Sequence, residues 1–232
     1  MRTIAIIQSR MNSARLPSKA VAPIAGKPML AHVLERALAI RGLAGVALAT
    51  SVNERDDPIA DLGLRTGCCL VYRGDEHDVL GRFKEAAAWT RAERVMRITG
   101  DCPLVCVDVC EAVLALADAE PWWPFVSNDT LISGYPDGVD VELFRMDALR
   151  DAHRLAMAHS DREHVTRWMR RHLVCQTVHA PGRWTHLKWS VDCAEDLARV
   201  RRIYGFLPAG AYTLADALAA DAEAQVTAGV TP

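Results

Sequence analysis

Apolar runs alternate with segments of helical periodicity through the first half of the chain. Short apolar runs are typical of strands buried on both faces, and apolar positions three and four residues apart are typical of helices packed on a sheet. The pattern predicts strands over residues 3–8, 46–51, 69–72 and 94–99, and helices over 29–40, 57–66, 78–91 and 107–118. This alternation predicts a Rossmann-like α/β fold, in which helices flank a mostly parallel sheet.

The pattern changes near residue 121. Pro-Trp-Trp-Pro occupies 121–124, and Pro-Asp-Gly at 136–138 precedes alternating apolar residues, which predicts a turn that enters an antiparallel strand. Residues from about 121 to 146 are therefore predicted to form a small inserted hairpin. Farther along, the pattern predicts helices over 147–158, 161–172 and 194–204, strands over 174–179 and 187–191, and a weak helix or frayed tail at the alanine-rich end.

Length and composition favour one domain over residues 1–232, because a chain of this size with 50% hydrophobic residues can bury one substantial core. The formal net charge of −2 gives no global cationic field for nucleic-acid binding. No apolar run approaches the roughly 20 residues that cross a bilayer, and no signal-peptide pattern is present. We therefore expect a cytoplasmic protein without nucleic-acid or membrane partners, whose seven cysteines are reduced thiols.

Three cations follow the first predicted strand in the segment QSRMNSARLPSK at 8–19. Arg10, Arg15 and Lys19 stand just beyond the strand's carboxyl end, where open α/β sheets bind ligands. Together with backbone N–H groups, these cations can hold a triphosphate. The sequence lacks the Gly-Lys-Ser/Thr ending of a P-loop and the glycine triplet of a dinucleotide-binding turn, which disfavours a kinase or a dehydrogenase. A solvated basic loop is the alternative interpretation.

Two aspartates stand at the ends of later predicted strands. Asp101 follows Gly100, which permits close backbone approach, and Asp192 follows the strand predicted over 187–191. Mg²⁺ commonly takes one or two carboxylates together with substrate phosphates, so both positions are candidate metal ligands. Each aspartate also has an alternative interpretation, in which it has only a local structural role. Asp101 can form a turn, and Asp192 has capping-box spacing to Glu195 and can cap the following helix.

Three segments carry a family pattern: residues 4–30 with RLPSK and GKPML, residues 97–104 with RITGDCPL, and residues 191–196 with VDCAED. Together they resemble the cytidylyltransferases related to spore-coat polysaccharide biosynthesis proteins of the SpsF type. More distantly, they resemble the CMP-KDO and CMP-sialic acid synthetases. The chain departs from the family pattern at Ala14 and Ser18, where the family usually has Thr and Gly, and at Cys193 and Ala194.

The resemblance implies a fold of the nucleotide-diphospho-sugar transferase type and transfer of CMP from CTP to a hydroxyl of a sugar or sugar acid, for surface polysaccharide or glycoconjugate synthesis. It also implies that Asp101 and Asp192 meet to hold Mg²⁺, that Arg10, Arg15, Lys19 and Asp101 are catalytic, and that the chain is a homodimer. The hairpin would then cover the sugar site or form the dimer contact. Nucleotide contacts are predicted at Gln8, Ser9, Arg10, Met11, Ser13, Arg15, Lys19, Ser51, Gly74, Thr99 and Gly100.

Three alternatives stay open: another nucleotidyltransferase, a glycosyltransferase that uses a nucleotide sugar, and a catalytically silent nucleotide-binding module. Asp137 and Asp140 lie where the family places sugar-side residues, although a hairpin turn explains Asp137 equally well. His164 lies in a further family-like segment, but a lone helical histidine is more often structural than catalytic. The acceptor sugar is not specified by these patterns.

Overall fold

The structure, a computed structural model, describes residues 1–229. Within this range the strands are β1 (Thr3–Gln8), β2 (Pro23–Ile24), β3 (Lys27–Pro28), β4 (Gly45–Ser51), β5 (Leu70–Gly74), β6 (Arg94–Thr99), β7 (Phe125–Ser127), β8 (Glu142–Arg145) and β9 (Cys175–Thr177). The helices are α1 (Met29–Leu38), α2 (Asp57–Thr66), α3 (Val79–Trp89), α4 (Val107–Ala119), α5 (Met146–Leu155), α6 (His159–Glu163), α7 (Arg167–His172), α8 (Ala194–Tyr204) and α9 (Leu214–Thr227).

A seven-stranded sheet with the order β5-β4-β1-β6-β8-β7-β9 runs through the molecule, and β2 and β3 form a separate two-stranded sheet. Strand β1 pairs in parallel with β4 on one side and with β6 on the other, where Gln8 lies opposite Thr99. The chain winds outward from β1 through β4 to β5 and then returns to β6. The winding therefore reverses between β1 and β6, which is the position where open α/β sheets form a ligand-binding crevice.

The side chains of β1 alternate between two buried layers. Ala5 and Ile7 pack into a cluster that includes residues of α1, α2 and α4, whereas Ile4 and Ile6 pack into a cluster that includes residues of α3, α5 and α7. This alternation follows from the two-residue period of a strand. A third cluster surrounds the fully buried Trp189 and includes residues of α8 and α9.

The predicted fold class is confirmed: helices flank a mostly parallel sheet, and a small antiparallel sheet accompanies it. Strands β1 and β6 and helices α2 and α8 have the predicted bounds, and α1, α3, α4, β4 and β5 differ from prediction at their ends. Strand β8 is antiparallel to both β6 and β7, so the segment predicted as a hairpin adds strands to the main sheet. Whether residues 121–146 cover the sugar site or form a dimer contact stays a prediction, as does the single domain.

The helix predicted over 161–172 is wrong as one element, because the structure has α6 and α7 with a turn between them. Val165 in this turn has a φ of 53°, in a left-handed region that β-branched residues rarely adopt. The side chain of Thr166 donates to both carboxylate oxygens of Glu142, at 2.8 and 3.0 Å. Because Val165 is fully buried, long-range packing and hydrogen bonding hold this turn against the local helical tendency.

The strand predicted over 187–191 does not join the sheet in the described part of the chain. This segment runs beside Asp137, whose N–H donates to the Leu187 carbonyl at 3.1 Å and whose carbonyl accepts from Trp189 N–H at 2.7 Å. Asp137 and Lys188 form an isolated bridge.

The alanine-rich end forms α9, which opens with a capping box between Thr213 and Asp216. The last part of the predicted tail, residues 230–232, lies outside the described residues. Within residues 1–229, no helix has both the length and the apolar composition that crossing a bilayer requires.

Candidate active site

A cavity of about 440 Å³ opens at the carboxyl ends of β1 and β6. The loop that follows β1 forms part of its wall, and Thr99, Gly100 and Asp101 form another part. Gly100 N–H donates to the Gln8 carbonyl at 2.9 Å, and a Cβ atom at Gly100 would lie 2.7 Å from the same oxygen. Glycine therefore permits the close approach that brings the basic loop and Asp101 to one cavity.

Lys19 lies between the two aspartates that were predicted to bind metal. Its Nζ donates to Asp101 Oδ2 at 2.9 Å and to the Val191 carbonyl at 2.6 Å, and lies 3.5 Å from Asp192 Oδ1. Burial raises the pKa of Asp101, but the charge of Lys19 and hydrogen bonds from Lys19 and Thr99 outweigh it, so the net pKa is lowered. Asp101 is therefore an anion at neutral pH, and one cation reaches both carboxylates.

Asp192 directly precedes α8 but does not cap it, so the alternative interpretation as a helix cap is wrong. Cys193 is the N-cap residue, and the carboxylate of Asp196 accepts from the N–H groups of Asp192 at 3.0 Å and Cys193 at 3.2 Å. This arrangement leaves the Asp192 carboxylate to face cations. Its Oδ1 lies 2.9 Å from Arg15 Nη2, and its Oδ2 lies 3.3 Å from Lys188 Nζ.

Arg10 and Arg82 add positive charge to the same cavity. Arg10 donates to Glu163 at 2.8 Å and to the Glu76 carbonyl at 3.2 Å. Arg82 is only 3% exposed and donates to the carbonyls of Asp75 at 2.6 Å and Glu76 at 2.8 Å. Its Nε is buried without a partner in the described part of the chain, and burial and the charge of Arg10 lower its pKa. Two neighbouring guanidinium groups at one cavity, one of them with an unpartnered Nε, suit a polyanionic ligand.

Arg97 also lines the cavity, from within β6. Its Nε donates to Gln8 at 3.0 Å, and its Nη1 donates to the buried carboxylate of Glu142. Arg170 and Thr166 donate to the same carboxylate. Burial raises the pKa of Glu142, but the charges of Arg97 and Arg170 and the hydrogen bonds they and Thr166 donate lower it more, so the net pKa is lowered. A buried ionic network therefore fixes the orientation of Arg97.

Comparison with known protein families identifies the family of this chain. The model described as "Cytidylyltransferase" matches residues 4–190, which is most of the chain. The chain belongs to the cytidylyltransferase family. This membership confirms the family predicted from the sequence, and with it the predicted CTP-dependent nucleotidyltransferase class.

Curated relatives are consistent with this family. The chain is 28% identical to the spore coat polysaccharide biosynthesis protein SpsF of Bacillus subtilis over 86% of this chain and 85% of that protein. It is 32% identical to an uncharacterized protein of Methanocaldococcus jannaschii over 72% of this chain and 66% of that protein. With a 3-deoxy-manno-octulosonate cytidylyltransferase of Anaeromyxobacter dehalogenans it is 38% identical, over 51% of this chain and 49% of that enzyme. The chain therefore spans about half the length of this last relative.

Two solved structures share the fold. A cytidylyltransferase from Leptospira borgpetersenii superposes with a TM-score of 0.91 at 21% identity, covering 96% of this chain and 94% of the other. A CMP:2-keto-3-deoxy-manno-octonic acid synthetase complexed with CTP superposes with a TM-score of 0.69 at 20% identity, covering 88% of this chain and 99% of the other. At these identities the superpositions establish the fold.

Most of the predicted contact residues of this cytidylyltransferase meet at the cavity, whereas three do not. Met11 packs against the core, and Ser51 is fully buried with its hydroxyl bonded to Asp56. Gly74 lies within β5, where its carbonyl accepts from Val52 N–H. Of the predicted site residues, the cavity is lined by Gln8, Ser9, Arg10, Ser13, Arg15, Lys19, Thr99, Gly100, Asp101 and Asp192.

The sequence analysis missed several lining residues, of which Arg82, Arg97 and Glu163 carry charge. Arg97 interrupts an otherwise largely apolar strand, and Arg82 lies on the buried side of α3, next to Phe83. A charged side chain at a position expected to be buried is a signal that could have identified both residues. Of the other family-like residues, His164 lines the cavity, whereas Asp137 and Asp140 do not.

Asp137 and Asp140 instead support the turn that precedes β8. Asp140 accepts from Thr130 at 2.8 Å and from Gly138 N–H at 2.9 Å, and Asp137 accepts from the Ser190 hydroxyl at 2.9 Å. Burial raises the pKa of Asp140. These contacts give both aspartates a structural explanation.

Ser18, where the family usually has Gly, has a backbone conformation that is unfavourable in free energy for a serine. Its φ of 61° and ψ of 18° are left-handed, a conformation that glycine adopts without strain. A serine there costs roughly 1–2 kcal/mol relative to an ordinary helical conformation. The backbone of this loop thus keeps the shape that a glycine favours.

The residues at the cavity fit a magnesium ion. Asp101 and Asp192 already hold one cation between them, the ammonium of Lys19. Within residues 1–229, no group of three or more His, Cys, Asp or Glu side chains is placed to hold a metal. Mg²⁺ commonly binds one or two carboxylates and takes its remaining ligands from water and phosphate oxygens.

Proposed function

We propose that this chain transfers CMP from CTP to a hydroxyl group of a sugar or sugar acid and releases pyrophosphate. Family membership supports the nucleotidyltransferase class, and one structural neighbour, a CMP:2-keto-3-deoxy-manno-octonic acid synthetase complexed with CTP, supports the choice of nucleotide. The proposal rests on one arrangement above all. A cavity at the reversal between β1 and β6 contains two carboxylates bridged by Lys19 and is lined by four arginines, Arg10, Arg15, Arg82 and Arg97.

These residues have the charges that the reaction requires. A new bond forms between the acceptor oxygen and the α-phosphorus of CTP as the acceptor hydroxyl gives up its proton to solvent, and the bond from that phosphorus to the bridging oxygen of the β-phosphate breaks. Pyrophosphate leaves with the electron pair of that bond, and we assign Arg10, Arg15 and Lys19 to neutralise its charge. Because the cations are held in place by carboxylate and carbonyl partners, little reorganisation is needed as charge develops.

Asp101 and Asp192 are proposed to hold Mg²⁺, which when bound polarises the phosphoryl oxygen and offsets triphosphate charge. Their pairing with Lys19 keeps the two carboxylates close before the ion arrives. Asp101 is ionised at neutral pH because its pKa is lowered, so it needs no deprotonation to act as a ligand. One structural neighbour, the Rv0371c protein of Mycobacterium tuberculosis, was solved as a complex with manganese.

The proposal also covers the acceptor molecule, the cellular location and the oligomeric state. The relatives named above include a spore coat polysaccharide protein and 3-deoxy-manno-octulosonate cytidylyltransferases, which supports a sugar or sugar acid for surface polysaccharide synthesis. We place the enzyme in the cytoplasm and expect a homodimer. The exposed side chains of Leu131 and Ile132, 88% and 66% accessible in the segment between β7 and β8, support a dimer contact there.

A pyrophosphate-release screen tests this function. The purified chain is supplied with Mg²⁺, each of the four nucleoside triphosphates, and a panel of sugars, sugar phosphates and sugar acids. CTP is expected to react only with particular acceptors, and Asp101→Asn is expected to lose roughly 10²–10³ in rate. The matched control is Asp151→Asn, an exposed aspartate that pairs with Arg154 on α5. Binding of CTP without pyrophosphate release from any pair would contradict catalysis and indicate a binding module.

A further inference from the structure

A second cavity lies on the far side of the segment that carries Asp192. It has a volume of about 420 Å³ and is enclosed by residues 186–188, one face of α8 and one face of α9. We call it the α8–α9 cavity. It shares no lining residue with the proposed active site. Cavities of this size are large enough for a small organic ligand.

Asp221 lines the α8–α9 cavity and has one carboxylate oxygen without a partner in the described part of the chain. The residue lines the cavity, is only 2% exposed, and accepts a hydrogen bond from the indole N–H of Trp189 through Oδ2 at 2.9 Å. Its Oδ1 is buried and has no partner within the described residues. Buried carboxylate oxygens are normally hydrogen-bonded, so Oδ1 calls for a donor from a molecule that is not part of this chain.

The rest of the α8–α9 cavity is cationic. Lys188 is paired with Asp196 at 2.6 Å and with Asp192 at 3.3 Å, and Arg199 lies 3.5 Å from Asp196, so Arg199 is only partly neutralised. Arg202 lines the same cavity one helical turn from Arg199, and within residues 1–229 it makes no ion pair. This side of the cavity therefore favours the binding of an anionic group.

A ligand that satisfies both sides must combine an anion with hydrogen-bond donors. We propose that the α8–α9 cavity binds a small polyhydroxylated anion, with its carboxylate or phosphate against Arg202 and Arg199 and a hydroxyl group donating to the carboxylate of Asp221. Sugar acids and sugar phosphates have this chemistry. An inorganic anion lacks the hydroxyl array, and a neutral sugar leaves Arg202 without a counterion.

Calorimetric titration of the purified chain, without CTP or divalent metal, tests the site. The probes are glucuronate and glucose 6-phosphate, which separate a carboxylate from a phosphate, with glucose and inorganic phosphate as comparisons. Saturable binding of glucuronate or glucose 6-phosphate is expected, with neither comparison binding as tightly. Arg202→Gln and Asp221→Asn should each weaken that binding by about tenfold or more, because each removes a charge that contacts the ligand.

Two matched controls lie on the same helices. Arg201→Gln changes the neighbouring arginine, which donates to the Pro23 carbonyl instead of lining the cavity, and Glu223→Gln changes an exposed carboxylate on α9. Both should bind the probe as the unaltered chain does. The indole N–H signal of Trp189, identified by its shift in Asp221→Asn, gives a second readout and should move on titration.

The titration also separates this site from the active site. Arg10→Gln, which removes a cation of the proposed active site, should bind the probe with unchanged affinity. Loss of binding in Arg10→Gln together with unchanged binding in Arg202→Gln and Asp221→Asn would place the probe in the active site and overturn the proposal. Failure of both polyhydroxylated anions to bind would overturn it as well. Because Arg202 is exposed and makes no ion pair within residues 1–229, its substitution tests the site even if Asp221→Asn fails to fold.

Discussion

Replacing Lys19 by methionine tests the arrangement of charges at the proposed active site. Methionine keeps much of the side-chain volume but removes the ammonium that contacts Asp101 at 2.9 Å, the Val191 carbonyl at 2.6 Å and Asp192 at 3.5 Å. Hydrogen bonds to charged groups contribute about 1.5–3 kcal/mol each. The variant also leaves two carboxylates near each other without a common cation.

Solvent reduces the cost, because the side chains of Asp101 and Asp192 are 32% and 24% exposed. We therefore expect Lys19→Met to lower the free energy of unfolding by about 3 kcal/mol. For a chain of this size that corresponds to a fall of roughly 6–12 °C in Tm. Pyrophosphate release from CTP should fall by roughly 10²–10³.

The response to Mg²⁺ gives a sharper readout. In the unaltered chain the ammonium of Lys19 already contacts both carboxylates, so a divalent ion must displace or share this contact. In Lys19→Met the carboxylates lack that cation, and Mg²⁺ should raise Tm more than it does in the unaltered chain. Thermal denaturation with and without Mg²⁺, together with the pyrophosphate assay, measures all three effects.

Lys27→Met is the matched control. Lys27 pairs with Glu35 at 2.8 Å on the surface, where the two side chains are 53% and 46% exposed. Exposed ion pairs contribute about 0–1 kcal/mol, so this variant should be nearly unchanged. Equal Tm values for the two variants, or near-normal pyrophosphate release by Lys19→Met, would refute the reasoning.

Three further predictions concern the buried carboxylate of Glu142 and the close backbone approach at Gly100. Glu142→Gln should lower the free energy of unfolding by about 3–5 kcal/mol in urea denaturation, because it leaves Arg97 and Arg170 without their buried carboxylate. Since the folded pKa of Glu142 is lowered, its stabilisation is complete above its unfolded pKa of about 4.3 and is lost as pH falls through the folded value. Glu142→Gln should therefore flatten the acid limb of a stability–pH profile, and an unchanged limb would contradict this. Gly100→Ala should lose about 1–3 kcal/mol and reduce CTP turnover, because its Cβ would lie 2.7 Å from the Gln8 carbonyl. Unfolding and pyrophosphate assays on that variant check both effects.

The elements that the sequence predicted best are those with local signals. Strand β1 is an uninterrupted buried run, and α8 follows a cluster of capping residues, so hydrophobic pattern and caps define both. The break between α6 and α7 depends on the bonds from Thr166 to Glu142, residues far apart in sequence. Residues 187–191 have a strand-like pattern, but in the described part of the chain they run beside Asp137 through an isolated bridge and do not join the sheet.

The residues of the candidate site also fall into those that the sequence predicted and those whose position depends on tertiary packing. Strand-end reasoning placed Lys19 and Asp101 at one edge of the sheet, because the carboxyl ends of parallel strands meet there. Asp192 joins them as the family resemblance implied, although it follows no sheet strand: Val191 N–H donates to the Asp101 carbonyl at 2.9 Å. Ser51 also ends such a strand, but its hydroxyl is bonded to Asp56 and it faces away from the cavity lining. The contribution of Arg82 depends on the rotation of α3 against the sheet, which spacing along the chain does not specify.

Metal binding in the presence of CTP tests the central claim most directly. Electron paramagnetic resonance of Mn²⁺ can compare the unaltered chain with Asp101→Asn, Asp192→Asn and the surface control Asp151→Asn. The account predicts CTP-dependent Mn²⁺ binding by the unaltered chain and the control, and binding weakened by about tenfold or more in each of the other two variants. Unchanged Mn²⁺ affinity in both Asp101→Asn and Asp192→Asn would contradict the proposal that these two carboxylates hold the ion.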